Sequence, residues 1–210
     1  MKRKTRMVLA MVAGLCFSMN LFANAGEDDL KKKKYANSKF TWTENYVTEG
    51  ANCALAPNAE EIVTTCLSKD GKPLRWVRKN DIYKFGKYTG TSTFETALYN
   101  MSIDEMINNF EKDGTLRTGL YWGGVWTRDV SYSSLLALAY VCPDKVKNSL
   151  EVKIDRMGRI IQDTGTGGSW PCSTDRVVWA LSAWNIYLAT GDMEWLQKAY
   201  PIIARSLEAD

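Results

Sequence analysis

The sequence predicts a mainly α protein in which helical hairpins form an inner and an outer layer, preceded by a small β-rich segment. The runs 129–142 and 176–189 carry no charge after their first residue, which predicts helices buried on every side. An amphipathic stretch follows each run and predicts a helix that covers it from outside. Asp129 and Asp175, 46 residues apart, begin similar segments, a spacing typical of helical repeats. A four-helix bundle is the simpler alternative, but bundles mostly use helices that are apolar on one side only.

The first 25 residues follow the plan of a secretory signal peptide. Four basic residues lie among the first six, an apolar stretch runs from 7 to 22, and "ANA" offers a small-residue cleavage site before Gly26. The apolar stretch is short for a membrane span. We therefore expect an exported protein, periplasmic or extracellular, with no integral membrane segment after cleavage.

Charge and composition exclude several classes of function. The full chain carries 27 basic and 24 acidic residues, a net +3, and removal of the four basic residues of the signal leaves 23 and 24, a net −1. A nucleic-acid partner is therefore not expected. The absence of histidine excludes Ser-His-Asp and Cys-His catalysis and His-ligated zinc. No cysteine pair has metal-ligand spacing, so we expect neither a metal nor a cofactor.

Export permits disulfides, and four cysteines remain after the signal: Cys53, Cys66, Cys142 and Cys172. A local bond between Cys53 and Cys66 and a set of buried free thiols are both compatible with the sequence.

The segments after the signal divide into a polar linker at 26–39, a small β-rich segment at 40–88, and a helical region at 92–210. Two β-prone runs joined by Asp70 and Gly71 predict a β-hairpin. A Gly/Thr/Ser-rich joint then separates the β-rich segment from the helices.

Within the helical region, Ser102 and Glu105 form a capping box, which predicts the start of a helix there. Pro and Asp open the next amphipathic helix, whose apolar stripe continues from 143 to 161. The last helix is predicted to start at Asp192, with a kink or stop expected at Pro201.

The loops before the two apolar runs resemble each other. "TGLYWGGVWTRD" (118–129) and "DTGTGGSWPCSTD" (163–175) are both glycine-rich, contain Trp and end in Asp. Loops at equivalent positions of neighbouring hairpins open at the same end. They would bring together one set of aromatic and charged side chains: Tyr121, Trp122, Trp126, Trp170, Arg128, Asp129 and Asp175.

This set of side chains suits a sugar ligand. A pyranose places its C–H faces on aromatic rings, and its hydroxyl rim needs charged acceptors and donors. Structural interpretations stay open beside this one. Asp129 and Asp175 can be helix N-caps, Trp122 and Trp126 can plug the end of the helical layer, and Arg128 can pair with an acid to hold its loop.

The segment "VWTRD" (125–129) resembles the Trp-Thr-Arg-Asp signature of the glucoamylase-like, six-hairpin glycoside hydrolases. "GGSWP" with the following acid and apolar helix (167–184) and "YLATGDMEWLQKAYPII" (187–203) are similar to later segments of that superfamily. The resemblance covers residues 92 to 210 and implies the start of an (α/α)6 toroid. It also implies that Arg128 and Asp129 hold sugar hydroxyls in the −1 subsite, that Trp170 lines the cleavage point, and that Trp126 supports the loop.

The resemblance implies a glycosidase acting on an oligosaccharide or polysaccharide, with an α-linked glucan as the leading substrate. Trp122 and Asp175 match the family pattern only loosely. About two hairpins are present, so we expect a truncated catalytic domain whose general acid and base lie beyond Asp210. The alternatives are a secreted, non-catalytic carbohydrate-binding or scaffold module, and another six-hairpin enzyme such as a sugar phosphorylase or a rhamnosidase.

Overall fold

The structure, a computed structural model, describes residues 35–163 and 174–209. The predicted signal peptide, Trp170 and Cys172 lie outside these residues. The chain divides into a first unit that ends at Glu105 and a second unit that begins at Met106. Within the described residues, no helix is both long and apolar enough to cross a bilayer.

The first unit contains a six-stranded antiparallel sheet in which every strand pairs with the next one along the chain. Short turns connect the strands, so the sheet is a meander. Its strands are β1 (Tyr35–Ala36), β2 (Phe40–Trp42), β3 (Tyr46–Glu49), β4 (Asn52–Asn58), β5 (Glu61–Leu67) and β6 (Pro73–Val77). β1 therefore begins inside the segment interpreted as a linker.

The sheet overturns the predicted fold class. Helices account for about 45% of the structure and strands for about 21%, so a mainly α chain built around a partial (α/α)6 toroid is a wrong description. The strands are the main structure of the first unit rather than a small preface to the helices. The sequence indicated β-prone runs within 40–88, but not that six consecutive strands pair in one sheet.

The hairpin predicted at Asp70 and Gly71 is confirmed. It joins β5 to β6, and Gly71 adopts a φ of 75°, which the turn requires. The register also decides the orientation of two cysteines. Ala54 pairs with Thr64, so Cys53 lies opposite residue 65 and Cys66 points to the other face of the sheet. Cys53 and Cys66 are free thiols, as is Cys142, and burial raises the pKa of the Cys53 thiol to about 11.

Helix α1 (Thr93–Asn108) packs its first turns against the sheet. Its N-terminus is capped by Ser92, whose hydroxyl accepts the Glu95 amide at 3.1 Å. The predicted capping box at Ser102 is therefore wrong, since Ser102 lies inside the helix and donates to the Leu98 carbonyl. The core beneath α1 consists of apolar side chains from both layers: Ala56, Ile62, Phe94 and Ala97, with Val47, Ala54, Trp76 and Met101 against them.

Asp104 ties the end of this first unit together. Its buried carboxylate accepts the Trp76 indole N–H at 2.9 Å and the Asn80 backbone amide at 2.8 Å. Desolvation is the largest single influence and raises the pKa of Asp104, but the hydrogen-bond donors together outweigh it, so the pKa is lowered. A buried carboxylate with this many partners has a structural role, and we assign it none in binding.

The second unit is helical. After the last turn of α1 its elements are α2 (Thr127–Ser133), a π-helical turn (Ser134–Leu138), α3 (Ala139–Val141), α4 (Pro143–Glu151), α5 (Asp175–Thr190) and α6 (Met193–Leu207). Its core is formed by side chains from all of these helices and from the turns between them: Leu116, Val130, Ala139, Val146, Leu150, Ile160, Trp179, Ala183, Ile186, Trp195, Ala199 and Ile202.

Several predicted helix boundaries need correction. The helix expected to run from 143 to 161 ends at Glu151, because residues 153–161 fold into a turn in which Gly158 has a φ of 74°. The last helix is capped by Asp192, which accepts the Trp195 amide at 2.9 Å. It continues through Pro201, so the proline does not end it.

Two turns of the second unit repeat one backbone design. The first turn (109–117) closes with a bridge between Phe110 and Leu116, and the second turn (153–161) closes with one between Ile154 and Ile160. Each is fixed to the following outer helix by a buried serine. The Leu116 amide donates to Ser149 at 2.9 Å, and the Ile160 amide donates to Ser206 at 2.8 Å.

Candidate functional site

The entry to α2 presents aromatic side chains on a short loop. Gly119 and Trp122 exchange backbone hydrogen bonds of 3.2 and 3.1 Å, which closes a tight turn. Gly124 follows with a φ of 76°, and its carbonyl accepts the Thr118 amide at 3.2 Å. This closed turn leaves Tyr121 almost fully exposed and the Trp122 side chain 58% exposed.

Trp122 is supported by Trp126. Their ring centroids lie 6.2 Å apart and their planes are 85° apart, an edge-to-face contact. Trp126 is half-buried and occupies the extended N-cap position of α2. The helix start therefore fixes Trp126, and Trp126 in turn limits the orientation of the exposed Trp122 ring.

Arg128 and Asp175 join the starts of α2 and α5. Arg128 Nε lies 3.0 Å from Asp175 Oδ1, and the Asp175 side chain has no exposed surface while the Arg128 side chain is partly exposed. Asp175 Oδ2 also accepts the Asp163 backbone amide at 2.5 Å. Asp175 thus holds Arg128 in place from a buried position.

Asp163 provides the cap that α2 lacks locally. The side chain at its N-cap position makes no capping hydrogen bond, and the Thr127 amide donates instead to Asp163 Oδ2. Lys153 Nζ lies 2.5 Å from Asp163 Oδ1 and 3.1 Å from the Val125 carbonyl. This nearly buried ion pair fixes the loop just before Trp126.

The structure thus treats the predicted site residues differently. Trp122 contacts Trp126, and Arg128 contacts Asp175. Asp129 is exposed in the first turn of α2 and is not its N-cap. Asp175 is the first residue of α5, after Thr174 at the N-cap position. The predicted contribution of Trp170 lies outside the described residues.

Sequence reasoning missed Lys153 and Asp163. Asp163 is the first residue of the loop 163–175, but the amide that it caps lies 36 positions earlier in the chain. No local sequence pattern indicates such a contact. The helix predicted over 143–161 included Lys153, but that helix ends at Glu151, so Lys153 lies in the second turn.

A polar cleft of about 540 Å³ lies beside the loop 119–126, which carries Trp122 and Trp126 and is named here the tryptophan loop. The backbone of this loop forms one wall of the cleft. The first turn (109–117) supplies charged side chains on another wall. The pKa of Asp113 is lowered, first by the hydrogen bond from the Thr115 hydroxyl, so this acid is an ionised acceptor near neutral pH. The cleft is lined by Glu111, Lys112, Asp113, Thr115, Gly124, Val125, Val152 and Lys153.

Within the described ranges, no group of three or more Cys, Asp or Glu side chains is placed to hold a metal ion. Comparisons of the chain with protein-family models, with curated proteins and with solved structures give no match.

Proposed function

We propose that this chain supplies the sugar-holding surface of an exported glycoside hydrolase that acts on oligosaccharides, with an α-linked glucan as the substrate class. One observation carries the proposal: an exposed tryptophan, braced edge-to-face by a second one, lies on the loop that leads directly into an arginine and an acid. The signal-like first 25 residues support export, and the "VWTRD" resemblance supports the reaction class.

The chemistry of a pyranose fits these groups. The exposed Trp122 ring offers a flat apolar face to the C–H groups of one sugar face. Asp129, exposed in the first turn of α2, is a carboxylate that can accept from two hydroxyls. Arg128 is held at Nε by Asp175 and is still partly exposed, so its other N–H groups can donate to the sugar rim.

Asp175 has a different role in this proposal. Because its side chain is fully buried, it orients Arg128 rather than contacting the sugar itself. A guanidinium fixed before the ligand arrives loses less side-chain entropy on binding. Positioning of this kind raises turnover as well as affinity when the held ring is the one that reacts.

The reaction implied by the family resemblance needs two carboxyl groups, one that protonates the leaving oxygen and one that activates water. We assign neither role to a described residue. The part assigned to this chain is to hold the ring at the non-reducing end in a fixed orientation.

Titration with maltooligosaccharides, followed by tryptophan fluorescence, tests the binding step. Trp122→Ala should weaken binding about 3- to 10-fold, the usual range for one aromatic contact. Asp129→Asn should weaken it about tenfold or more, because hydrogen bonds to a charged group are the strong ones. Leu120→Ala is the matched control, since the Leu120 side chain is exposed on the same turn, and the hydrogen bond that its carbonyl accepts from Arg117 is kept in alanine. The proposal would be refuted if the tryptophan fluorescence of the wild-type chain did not change when these sugars were added.

A non-catalytic carbohydrate-binding module is the second candidate. The strong exposure of Tyr121 and Trp122 favours it, since a flat aromatic surface can bind a sugar chain without any chemistry. Because neither carboxyl group of the reaction is assigned to a described residue, the binding variants separate the two candidates. Binding that Trp122→Ala weakens and Asp129→Asn leaves unchanged supports the module, whereas binding that needs Asp129, or release of reducing sugar with inversion at the anomeric carbon, supports the hydrolase.

A further inference from the structure

The outward faces of α5 and α6, both within the second unit, carry large exposed apolar side chains in regular rows. On α5 the row recurs about once per helical turn: Val177, Leu181, Trp184 and Leu188. On α6 it recurs every seven residues: Met193, Tyr200 and Leu207. Each of these side chains has about half or more of its surface exposed.

A groove of about 550 Å³ lies between the two rows. Its floor contains three alanines, Ala180, Ala183 and Ala199, and its walls include Trp184 and Tyr200. Apart from Gln197, the Tyr200 hydroxyl and the Trp184 indole N–H, the described side chains that line it are apolar. Small residues below and large ones at the sides give a groove that fits the side-chain ridge of another helix.

Charge is segregated away from this surface. α5 has no charged residue after Arg176. The charged residues of α6, Glu194, Lys198 and Arg205, share a helix face distinct from the apolar row. Lys198 pairs with Glu151 at 2.7 Å, and Arg205 donates to the Gly158 carbonyl at 3.3 Å. Lys198 and Arg205 are therefore directed to neighbouring elements, and Glu194 shares their helix face rather than the face with the groove.

We propose that this surface, named here the α5–α6 face, docks a second copy of the chain in an isologous dimer. Its seven large side chains expose on the order of 100 Å² each, which approaches the roughly 800 Å² per partner of a standard stable interface. The face contains both a ridge, the α5 row, and a groove that accepts such a ridge. In a two-fold arrangement each copy inserts its ridge into the groove of the other, so both features are buried at once.

The absence of charge on α5 also indicates the chemistry of the partner. A membrane surface favours an apolar face bordered by Lys and Arg, and the row on α5 has no such border after Arg176. An apolar, helical and self-complementary partner fits, and a second copy of the same face has all three properties.

Sedimentation velocity of the exported chain, from low to high micromolar concentration, tests the dimer. Wild type should show twice the monomer mass. Leu181→Lys and Tyr200→Lys should each raise the dimer dissociation constant at least tenfold, since each buries an unpaired charge in the contact. Leu74→Lys is the matched control, because Leu74 is 48% exposed on the sheet and Leu181 is 49% exposed on α5. Leu74→Lys should remain dimeric.

Three results would overturn the proposal: a wild-type monomer at all concentrations, a dimer that Leu181→Lys leaves intact, or large mixed assemblies that neither lysine variant changes. Uptake of the wild-type chain by neutral or anionic vesicles in place of self-association would overturn it as well.

Hydrogen exchange of the wild-type chain tests the same face without any substitution. Dilution below the dissociation constant should speed amide exchange in 177–188 and 193–207, while β4 and β5 keep their rates. Exchange that is independent of concentration in α5 and α6 would contradict the dimer even if the lysine variants failed to fold.

Discussion

The first turn (109–117) and the second turn (153–161) share one backbone although most of their residues differ. The amide of residue 111 donates to the carbonyl of 115 at 2.9 Å, and 155 donates to 159 at 2.8 Å. At the ends of the turns, the amide of residue 117 donates to the carbonyl of 109, and the amide of 161 donates to the carbonyl of 153, both at 2.9 Å. Gly114 and Gly158 both have positive φ at the equivalent position. A few fixed positions, 44 residues apart, are thus enough to specify the turn.

The helices that follow the two turns differ more than the turns do. α5 is one continuous α-helix of 16 residues that ends at Gly191 with a φ of 68°. The segment from Thr127 to Val141 is interrupted by a π-helical turn, where Asn185 Nδ2 donates to the Ser134 carbonyl at 3.2 Å. The start of α2 also depends on Asp163, from the second repeat. The two repeats therefore share the backbone of their turns and differ at the starts of the following helices, where the candidate site lies.

Removal of the Asp163 carboxylate should have the largest effect on this arrangement. Asp163→Ala leaves Lys153 nearly buried without its ion-pair partner and the Thr127 amide without its acceptor, so we expect a loss of about 3–5 kcal/mol in the free energy of unfolding. Asp144→Ala is the control, because Asp144 is highly exposed and pairs with Lys147 only at 3.9 Å. Urea unfolding measures both. Equal losses of unfolding free energy for the two variants would mean that Asp163, from the second repeat, does not stabilise the start of α2.

The two serines that fix the turns to their outer helices provide the next test. Ser149→Ala and Ser206→Ala should each cost about 1–3 kcal/mol, because each leaves a buried backbone amide without a partner. Ser102→Ala controls for the loss of a helix serine, since Ser102 is exposed and only donates back to its own helix. Thermal unfolding should show similar decreases in Tm for Ser149→Ala and Ser206→Ala. A large effect for only one of them would break the equivalence of the turns.

The glycines of the two turns should give a smaller and equal effect. Gly114→Ala and Gly158→Ala force an L side chain into the left-handed region, at a cost of about 1–2 kcal/mol each. The added Cβ would also approach Asn148 at 2.9 Å and Arg205 at 3.0 Å, both flexible ends that can move. Gly119→Ala should be nearly neutral because φ is not positive and nothing lies within 4 Å. Chemical denaturation curves for the three variants measure the difference.

Acid pH should weaken both turns in the same range, as the smallest of these effects. The pKa of Asp113 is lowered chiefly by the Thr115 hydroxyl, and that of Asp155 chiefly by the Arg159 amide. Because both folded-state values lie below the unfolded value of about 3.9, their contribution is complete above that pH and is lost as the pH falls through the folded values.

Carbon-13 titration of the carboxyl groups should show both values depressed. Asp113→Asn and Asp155→Asn should lower the stability at neutral pH and remove that part of the acid sensitivity, so variant and wild type should converge in stability as the pH falls through the folded values. An ordinary pKa at one of the two aspartates would show that the turns differ in their electrostatics even though their backbones agree.

Local patterns predicted the local features of this chain. The β5–β6 hairpin and the start of α6 follow from residues within a few positions, Asp70 with Gly71 and Asp192 with Trp195. The end of α4 was missed because Ile154, Met157 and Ile161 continue the helical apolar spacing although they lie in the second turn, where Ile154 bridges Ile160. Periodicity alone does not separate these two structures.

The candidate site was predictable only in part for a related reason. The sequence placed Trp126, Arg128 and Asp175 at helix starts, but it could not show that Asp175 is buried against Arg128. It matched Asp129 with Asp175, whereas the structure matches Thr127 with Asp175 as the first residues of their helices. Contacts such as Thr127 with Asp163 join residues far apart in the chain, and composition carries no information about them.

The cap that Asp163 places on α2 has a consequence for the order of folding. In a simple repeat protein each unit can fold once it has been synthesised, and neighbours add stability step by step. Here the start of the first repeat's helix is completed by Asp163, which lies just after the second repeat's turn. As the chain leaves the ribosome, α2 emerges well before its own cap does. We therefore expect the two repeats to mature as one cooperative event, with the tryptophan loop acquiring its final geometry only after the second turn has closed.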